Sequence, residues 1–200
     1  MPAMIAELPL TLVASLERRL VTATAVATSP FTGSEQVQDW GGEWWEYGIE
    51  MARMNGRDGR RLSAFLAGLG GARGRFLFRD PTIWQPGSTL APIVTGGAQT
   101  GGTLATSGWP PSGTPLFAGD FFSLGSDTAT RLHQLTADVV SNALGNATLA
   151  FVPKLRSTPA DGAALQIAAP AVLLRLTAPA PTRIGRADTF LFTLTAREAL

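Results

Sequence analysis

Hydrophobic and polar residues alternate over three short stretches near the N-terminus, and a period of two predicts β-strands. Residues 20–27 place leucine, threonine and valine on one face, residues 35–40 form a second predicted strand, and residues 44–53 form a third. The third strand has one apolar and one acidic face, with Trp45, Tyr47, Ile49 and Met51 opposed to Glu46 and Glu50.

Turn signals separate these predicted strands. Ser29-Pro30 ends the first strand, and Thr32-Gly33-Ser34 predicts a turn or bulge. Gly41-Gly42 predicts a two-residue hairpin loop between the second and third strands, because glycine adopts positive φ freely at both positions.

The hydrophobic spacing then changes from two to the i, i+3, i+4, i+7 rule of an amphipathic helix. The residues that follow this rule are Leu62, Phe65, Leu66 and Leu69. Asn55 or Asp58 can begin the helix and Gly70-Gly71 ends it. We expect its apolar face to pack on the N-terminal sheet. Three arginines lie off that face: Arg57, Arg60 and Arg61.

One more strand follows the helix, and a second unit begins at residue 116. Residues 75–79 form a strand ended by Pro81, and residues 86–115 are rich in Gly, Thr, Ser and Pro, which is typical of loops around short strands such as 103–106. From residue 116 to 176 the chain reads as short β segments separated by turn signals, which predict a small barrel or sandwich. These segments are 120–124, 131–140, 147–153, 165–167 and 172–176.

The C-terminal strand, residues 189–195, is predicted to pair with the N-terminal body and not with the barrel. The barrel already has enough strands, whereas an apolar terminal strand needs a sheet neighbour for its backbone. Pro179 and Pro181 suit a second linker. We therefore predict a body from residues 1–95 with 180–200, and an inserted barrel from residues 96–179.

Composition excludes some classes of function and leaves others open. The 200 residues are 45% apolar and 16% charged, with a formal charge of +1, which gives no reason to expect a specific nucleic-acid partner. No apolar run approaches the ~20 residues of a membrane helix, so we expect no membrane insertion. Residues 1–20 form a poor signal peptide, because Glu7 and Pro9 interrupt the apolar run.

The inventory of chemistry-bearing residues is sparse. The absence of cysteine excludes thiol catalysis and zinc–thiolate sites, and His133 is the sole histidine. Glu43, Glu46 and Glu50 suggest paired carboxylates, but on a polar strand face acids are usually solvated or paired with arginine. We therefore predict no catalytic residues, no metal ligands and no cofactor, and a protein that is not an enzyme. A hydrolase of unknown type would have to use His133.

Two adjacent tryptophans lie on opposite strand faces. If Trp45 points into the local core, Trp44 points out of it. An outward aromatic is typical of a subunit or ligand contact, since interfaces are enriched in Trp, Tyr and Arg. The alternative is that both faces of the strand are covered within one subunit.

Two blocks of the chain resemble a known family. SPFTGSEQVQDWGGEWWE, the one-sided helix and GRFLFRDP resemble the opening of tail-tip proteins of long-tailed bacteriophages. LFAGDFFSLGS, TRLHQLTADVV and GNATLAFVPKLRSTPADGAAL are similar to the small β domain that follows in those proteins. The resemblance is to the distal tail protein, which forms a ring at the end of the tail tube.

This resemblance implies a mainly β fold. A tail-tube-like β-sandwich or split barrel with one flanking α-helix would carry a small inserted β-barrel, OB- or galectin-like. It also implies a scaffold without catalytic residues, located in the virion at the distal end of the tail and assembled in the host cytoplasm. The expected partners are further copies in a hexamer, the tail tube protein and the hub or tip proteins. The predicted interface residues are Trp44, Glu46, Glu50, Arg57, Arg60 and Arg61.

A second function fits the same β-rich pattern. A carbohydrate- or receptor-binding β module of a phage or cell-surface assembly would use exposed aromatic rings as stacking platforms. Trp84 and Trp109 are the candidates, because both fall in predicted loops.

Overall fold

The computed structural model describes residues 5–9, 13–85 and 88–200. The fold is mainly β, as the alternating patterns predict, and the described residues form thirteen strands and one α-helix. In chain order these are β1 (Val13–Thr28), β2 (Glu35–Met51), β3 (Met54–Asn55), α1 (Gly56–Gly68), β4 (Phe76–Phe78), β5 (Ile93–Val94), β6 (Gly101–Ser107), β7 (Phe121–Leu124), β8 (Arg131–Leu135), β9 (Ala147–Leu155), β10 (Leu165–Gln166), β11 (Val172–Leu176), β12 (Thr182–Gly185) and β13 (Thr189–Glu198).

Two antiparallel sheets organise these strands. The first has the order β1-β2-β13-β11-β4, with β3 and β12 also paired to β13, and we call this sheet with α1 the body. The second has the order β10-β7-β8-β9-β6-β5. Its two ends approach each other, because Val94 N–H donates to Ala163 O at 2.9 Å and Leu165 N–H donates to Pro92 O at 3.0 Å. This nearly closed sheet is the barrel.

The prediction for the C-terminal strand is confirmed. β13 pairs with β2 and β11, and lies in the middle of the body sheet. Two strands belong to a different sheet from the one predicted. β5 pairs with β6 in the barrel, and β11 joins the body between β4 and β13. β11 is buried at four of its five residues, so it forms an interior strand that needs neighbours on both sides. The division into two domains stays a prediction.

The predicted hairpin loop at Gly41-Gly42 is wrong. β2 runs through both glycines, and the chain reverses instead at residues 29–34, where Gly33 N–H donates to Ser29 O at 3.0 Å. Gly41 has φ +69° and coincides with a register shift between Thr22 and Thr24 on β1. The glycine pair therefore forms a bulge inside a long strand, which positive φ also permits.

The helix prediction is confirmed in position, while its burial is less complete than expected. Asn55 is the N-cap residue, although its side chain makes no capping hydrogen bond, and Gly70 adopts the left-handed conformation after the C-terminus. Leu62 and Leu66 are buried in the body core, whereas Phe65 and Leu69 are half-buried at its margin.

Three smaller differences concern the bounds of β8 and β6 and the presence of β12. β8 ends at Leu135 and does not reach residue 140, and β6 spans Gly101–Ser107 where only 103–106 was expected. β12 directly follows the predicted linker at Pro179 and Pro181, where the sequence predicts no strand. The barrel encloses its own core, which includes Leu104, Phe122 and Phe151.

Candidate assembly surface

The outward face of β2 carries three of the predicted interface residues. Trp44 and Glu46 are half-buried and Glu50 is exposed, while Trp45 points into the body core. Arg19 Nε donates to Glu46 Oε2 at 2.8 Å, and Trp44 Nε1 donates to Glu46 Oε1 at 3.2 Å. The hydrogen bond from Arg19 has the largest effect on Glu46, and with the weaker effect of Trp44 it holds the pKa of Glu46 below its usual range. Glu46 is thus already paired within the subunit.

The three predicted arginines are exposed on α1. Arg60 forms an ion pair with Asp188, in the turn before β13. Among the described residues, Arg57 and Arg61 form no ion pair. The chain gives these two arginines no internal partner in the part of the structure that is described.

The acidic and basic members of the predicted interface lie on opposite sides of the body sheet. Strand side chains alternate between faces, so Glu46 and Glu50 point away from the face that carries Trp45. Leu62 and Leu66 of α1 pack in the same core as Trp45, which places the helix on that inner face. Contact between the two groups therefore requires two copies of the chain.

A projecting ribbon is the feature that sequence reasoning missed. No residue from 22 to 42 is buried, although β1 and β2 stay paired up to Thr28 and Glu35. We call residues 22–42 the arm. Phe31 is 95% exposed at its tip and Trp40 is 70% exposed near its base, and Val26 and Val37 form an exposed cross-strand pair. The hairpin loop predicted at Gly41-Gly42 would reverse the chain there, so the sequence predicts no ribbon of this length.

The two edges of the body sheet differ. Residues 6–8 cover the β4 edge, where Leu8 N–H donates to Leu77 O at 2.8 Å and Leu77 N–H donates to Ala6 O at 3.0 Å. In residues 5–9, 13–85 and 88–200, no strand pairs with the outer edge of β1. Such an edge offers backbone donors and acceptors to another chain.

A cation–π contact from Arg18 and an indole hydrogen bond from Trp45 join the body to the barrel. Arg18 pairs with Asp80, whose side chain is fully buried, and the Arg18 guanidinium lies 4.2 Å from the Phe121 ring centroid of β7. Trp45 Nε1 donates to Leu132 O of β8 at 2.9 Å. Phe121 and Leu132 consequently belong to the body core although their strands belong to the barrel.

A second cluster of charged residues lies at the same junction. The Glu198 carboxylate is buried, and Arg131 Nε and Arg156 Nη2 each lie 4.0 Å from one of its oxygens. Burial raises the pKa of Glu198, and the arginines oppose that shift. These residues are far apart in sequence and belong to no motif, so no sequence pattern indicates this cluster.

His133 is buried between Phe122 and Phe151, at ring-centroid distances of 5.2 and 4.8 Å. Its Nδ1–H donates to Pro153 O at 2.8 Å, which leaves Nε2 as the acceptor nitrogen. Burial lowers the pKa of His133 to about 4, although the hydrogen bond to Pro153 opposes that shift. The imidazole is therefore neutral near pH 7.

The remaining candidates have structural contacts. Glu43 accepts a hydrogen bond from Lys154 N–H at 2.8 Å and so links β2 to β9. Trp109 was predicted as an exposed platform, and this is wrong: it is buried, and its Nε1 donates to Thr106 Oγ1 at 2.7 Å. Trp84 is 41% exposed. Within the described ranges, no three His, Cys, Asp or Glu side chains cluster as a metal site would require.

No protein-family model matches the sequence, and no curated protein matches it significantly. Within the described residues, no helix has both the length and the apolar character that crossing a bilayer requires. The arm, the open edge of β1, the charged surfaces and the sequence resemblance are the features that bear on function.

Proposed function

We propose that this protein is a non-enzymatic structural component of a phage tail tip, of the distal-tail type. Six copies form a ring that joins the end of the tail tube to the hub or tip proteins. The number six and the neighbouring proteins come from the sequence resemblance. So do the tail-tube-like character of the body, the OB- or galectin-like character of the barrel, and the location at the distal end of the tail.

The arm is the single observation that carries an assembly role. An isolated two-stranded ribbon is marginally stable in water, and this one exposes Phe31, Val37 and Trp40. Exposed apolar groups on a projecting element favour contact with another molecule. A ribbon of this length gains its stability when its side chains pack against a partner.

Charge complementarity favours a second copy of the chain as that partner. The arm contains Glu35 and Asp39 and no basic residue. Arg57 and Arg61 are exposed on α1, which lies on the inner side of the body sheet. In our proposal the arm of one subunit lies against α1 of the next, and the outward residues Trp44, Glu46 and Glu50 contribute to the same interface.

This contact joins two different patches of the same chain. Such a heterologous contact generates a ring when the rotation between subunits closes, and an open filament when it does not. Many weak contacts repeated around a closed ring add up to a stable assembly. A ring therefore needs no single strong contact, and free subunits can be monomeric until the tube end acts as a template.

Imaging of the assembled particle tests the stoichiometry. We expect six copies of this chain in one ring at the end of the tail tube, with each arm on a neighbouring subunit. A single copy on the tail axis, or trimers in peripheral fibres, would refute the proposal.

A matched pair of substitutions tests the arm. Val37→Lys introduces a charge at an arm residue that is 62% exposed, and Val140→Lys does the same at a barrel residue that is 67% exposed. We expect both variants to melt as the unmodified protein does, because neither side chain is in a core. Only Val37→Lys should lower particle yield when it replaces the unmodified chain during infection. Equal yields from the two variants would exclude the arm as the interface.

A further inference from the structure

A cavity of about 180 Å³ opens at one end of the barrel. The end of β7, the start of β8 and the end of β9 meet there, and the mouths of β-barrels are common ligand sites. Leu124, Leu155 and Pro159 contribute apolar walls, and Arg131, Arg156 and His133 contribute polar groups. At about 30 Å³ per water, the cavity has room for about six waters, which is about the size of one sugar ring. We call it the mouth cavity.

The two arginines give the mouth cavity a capacity for one negative charge. Glu198 is buried between Arg131 and Arg156 and neutralises one of their two positive charges. Trp45 N–H donates to Glu198 at 3.3 Å and fixes the carboxylate from the body side. A net charge of +1 matches a carboxylate, whereas a phosphate dianion would leave one negative charge without a partner.

His133 adds a hydrogen-bond acceptor to the same wall. Its side chain is 2% exposed, and the bond from Nδ1–H to Pro153 O fixes the tautomer in which Nε2 accepts. A neutral acceptor cannot bind a carboxylate oxygen, but it can accept a hydrogen bond from a hydroxyl group. The mouth cavity therefore combines recognition of a carboxylate with recognition of a hydroxyl group.

We propose that the mouth cavity binds a uronic acid unit of an acidic polysaccharide. The carboxylate lies against Arg131 and Arg156, a ring hydroxyl donates to His133 Nε2, and the C–H face of the sugar packs on the apolar walls. The proposal is independent of the ring, since each subunit contains the whole cavity. The same chemistry occurs in free hydroxy acids, which the test below separates from the sugar.

The test is a titration of the full-length protein with sodium galacturonate and with tri-galacturonate, followed by amide shifts in NMR spectra. We expect saturable shifts confined to residues 124–133 and 155–163 with both compounds. Galactose lacks the carboxylate, acetate lacks the hydroxyl and lactate lacks the ring, so each should bind more weakly. Equal affinity for galactose, or tighter binding of inorganic phosphate, would overturn the proposal. Equal affinity for lactate would overturn the sugar assignment, and no saturable shift would overturn the site.

Two variants and a control locate the contacts. Arg156→Gln removes one charge from a side chain that is 28% exposed, so the fold should tolerate it. We expect about tenfold weaker binding of galacturonate, the loss of one charge-assisted hydrogen bond. Arg186→Gln is the matched control, because Arg186 is exposed in the turn before β13. Equal affinities of these two variants would contradict the proposal.

His133→Asn separates the two halves of the site. Asparagine keeps a donor near the Nδ1 position and removes Nε2. We expect this variant to lose its preference for lactate over acetate, because these two differ by the hydroxyl group, while its affinity for acetate is unchanged. If the preference persists, His133 does not bind the hydroxyl group. Should this variant fail to fold, the comparison of Arg156→Gln with Arg186→Gln still decides the proposal.

Discussion

At the scale of single residues, His133 shows how burial changes the chemistry of a side chain. In the sequence it is a lone histidine in a strand, which is more often structural than catalytic. In the structure it packs between two phenylalanine rings and donates to Pro153 O, and burial holds its pKa at about 4. A neutral histidine of this kind contributes to stability above its unfolded pKa, and that contribution is lost as the pH falls.

The lowered pKa of His133 makes the stability of the protein depend on pH. Between about pH 7 and pH 4 the unfolded chain takes up a proton at His133 and the folded chain does not, so the free energy of unfolding falls. A difference of about 2.5 pKa units corresponds to about 3 kcal/mol. His133→Asn should lack this component, and urea unfolding of both proteins across this pH range measures the difference.

The comparison with His133→Asn is needed because other charged groups near His133 also change stability with pH. Glu198 has a raised pKa and acts in the opposite direction, because its contribution is lost as the pH rises. The positive charges of Arg131 and Arg156 also help to lower the pKa of His133. The free energy of unfolding of His133→Asn is subtracted from that of the unmodified protein at each pH, which removes these shared effects. Parallel pH profiles of the two proteins would show that His133 is not protected from protonation.

At the scale of elements, the sequence predicted what depends on local pattern. The period of two predicts strands, and the spacing of Leu62 and Leu66 predicts α1. The need of the C-terminal strand for a neighbour in the body predicts the pairing of β13. The Gly41-Gly42 pair predicts a hairpin loop but forms a bulge, because positive φ suits both structures. The position of β11 in the body sheet depends on pairing with distant strands, which no local pattern encodes.

The candidate sites were predictable only in part, for a related reason. Trp44 and Glu46 were assigned to the outward face because strand alternation is a local rule. Arg131 and Arg156 of the mouth cavity lie beside Glu198 of the body, and only the fold brings these three residues together. The sequence pattern does not distinguish the arm from the buried part of the sheet, because both have the same alternation of residues.

Two glycines of α1 provide the prediction at this scale. A Cβ atom at Gly59 would lie 2.3 Å from the Phe190 ring, whereas nothing lies within 4 Å of such an atom at Gly68. Gly59→Ala should therefore lower stability by about 1–3 kcal/mol through overpacking. Gly68→Ala should raise it by about 0.5–1 kcal/mol, because alanine favours the helix.

Thermal or urea unfolding of these two variants measures both effects with one assay. The two changes are chemically identical and lie on the same helix, so the difference between them reports the contact with β13 alone. Equal stabilities would mean that α1 does not pack as closely on Phe190 as the distance indicates.

At the scale of the whole molecule, the body and the barrel present different surfaces in a fixed relation. The Arg18 guanidinium packs on the Phe121 ring of the barrel, and Trp45 Nε1 donates to Leu132 O of the barrel. The body carries the arm and the barrel carries the mouth cavity. If both proposals hold, a ring of six would present six mouth cavities, and weak binding at each would sum over a polymeric ligand.

Charge reversal on the two proposed contact surfaces provides the last prediction. Glu35→Arg with Asp39→Arg reverses the arm, and Arg57→Glu with Arg61→Glu reverses the helix surface. Each double variant should keep its melting temperature, because all four side chains are exposed. Each should lower particle yield, since like charges would then meet at every contact of the ring.

The combination of all four changes in one chain distinguishes a direct contact from separate effects. If the arm of each subunit lies against α1 of the next, the reversed arm meets a reversed helix and particle yield should recover. Arg183→Glu with Arg186→Glu reverses two exposed arginines elsewhere on the body and should neither lower the yield nor restore it. A quadruple variant that assembles no better than either double variant would show that the arm and α1 do not meet, even if the protein forms a ring.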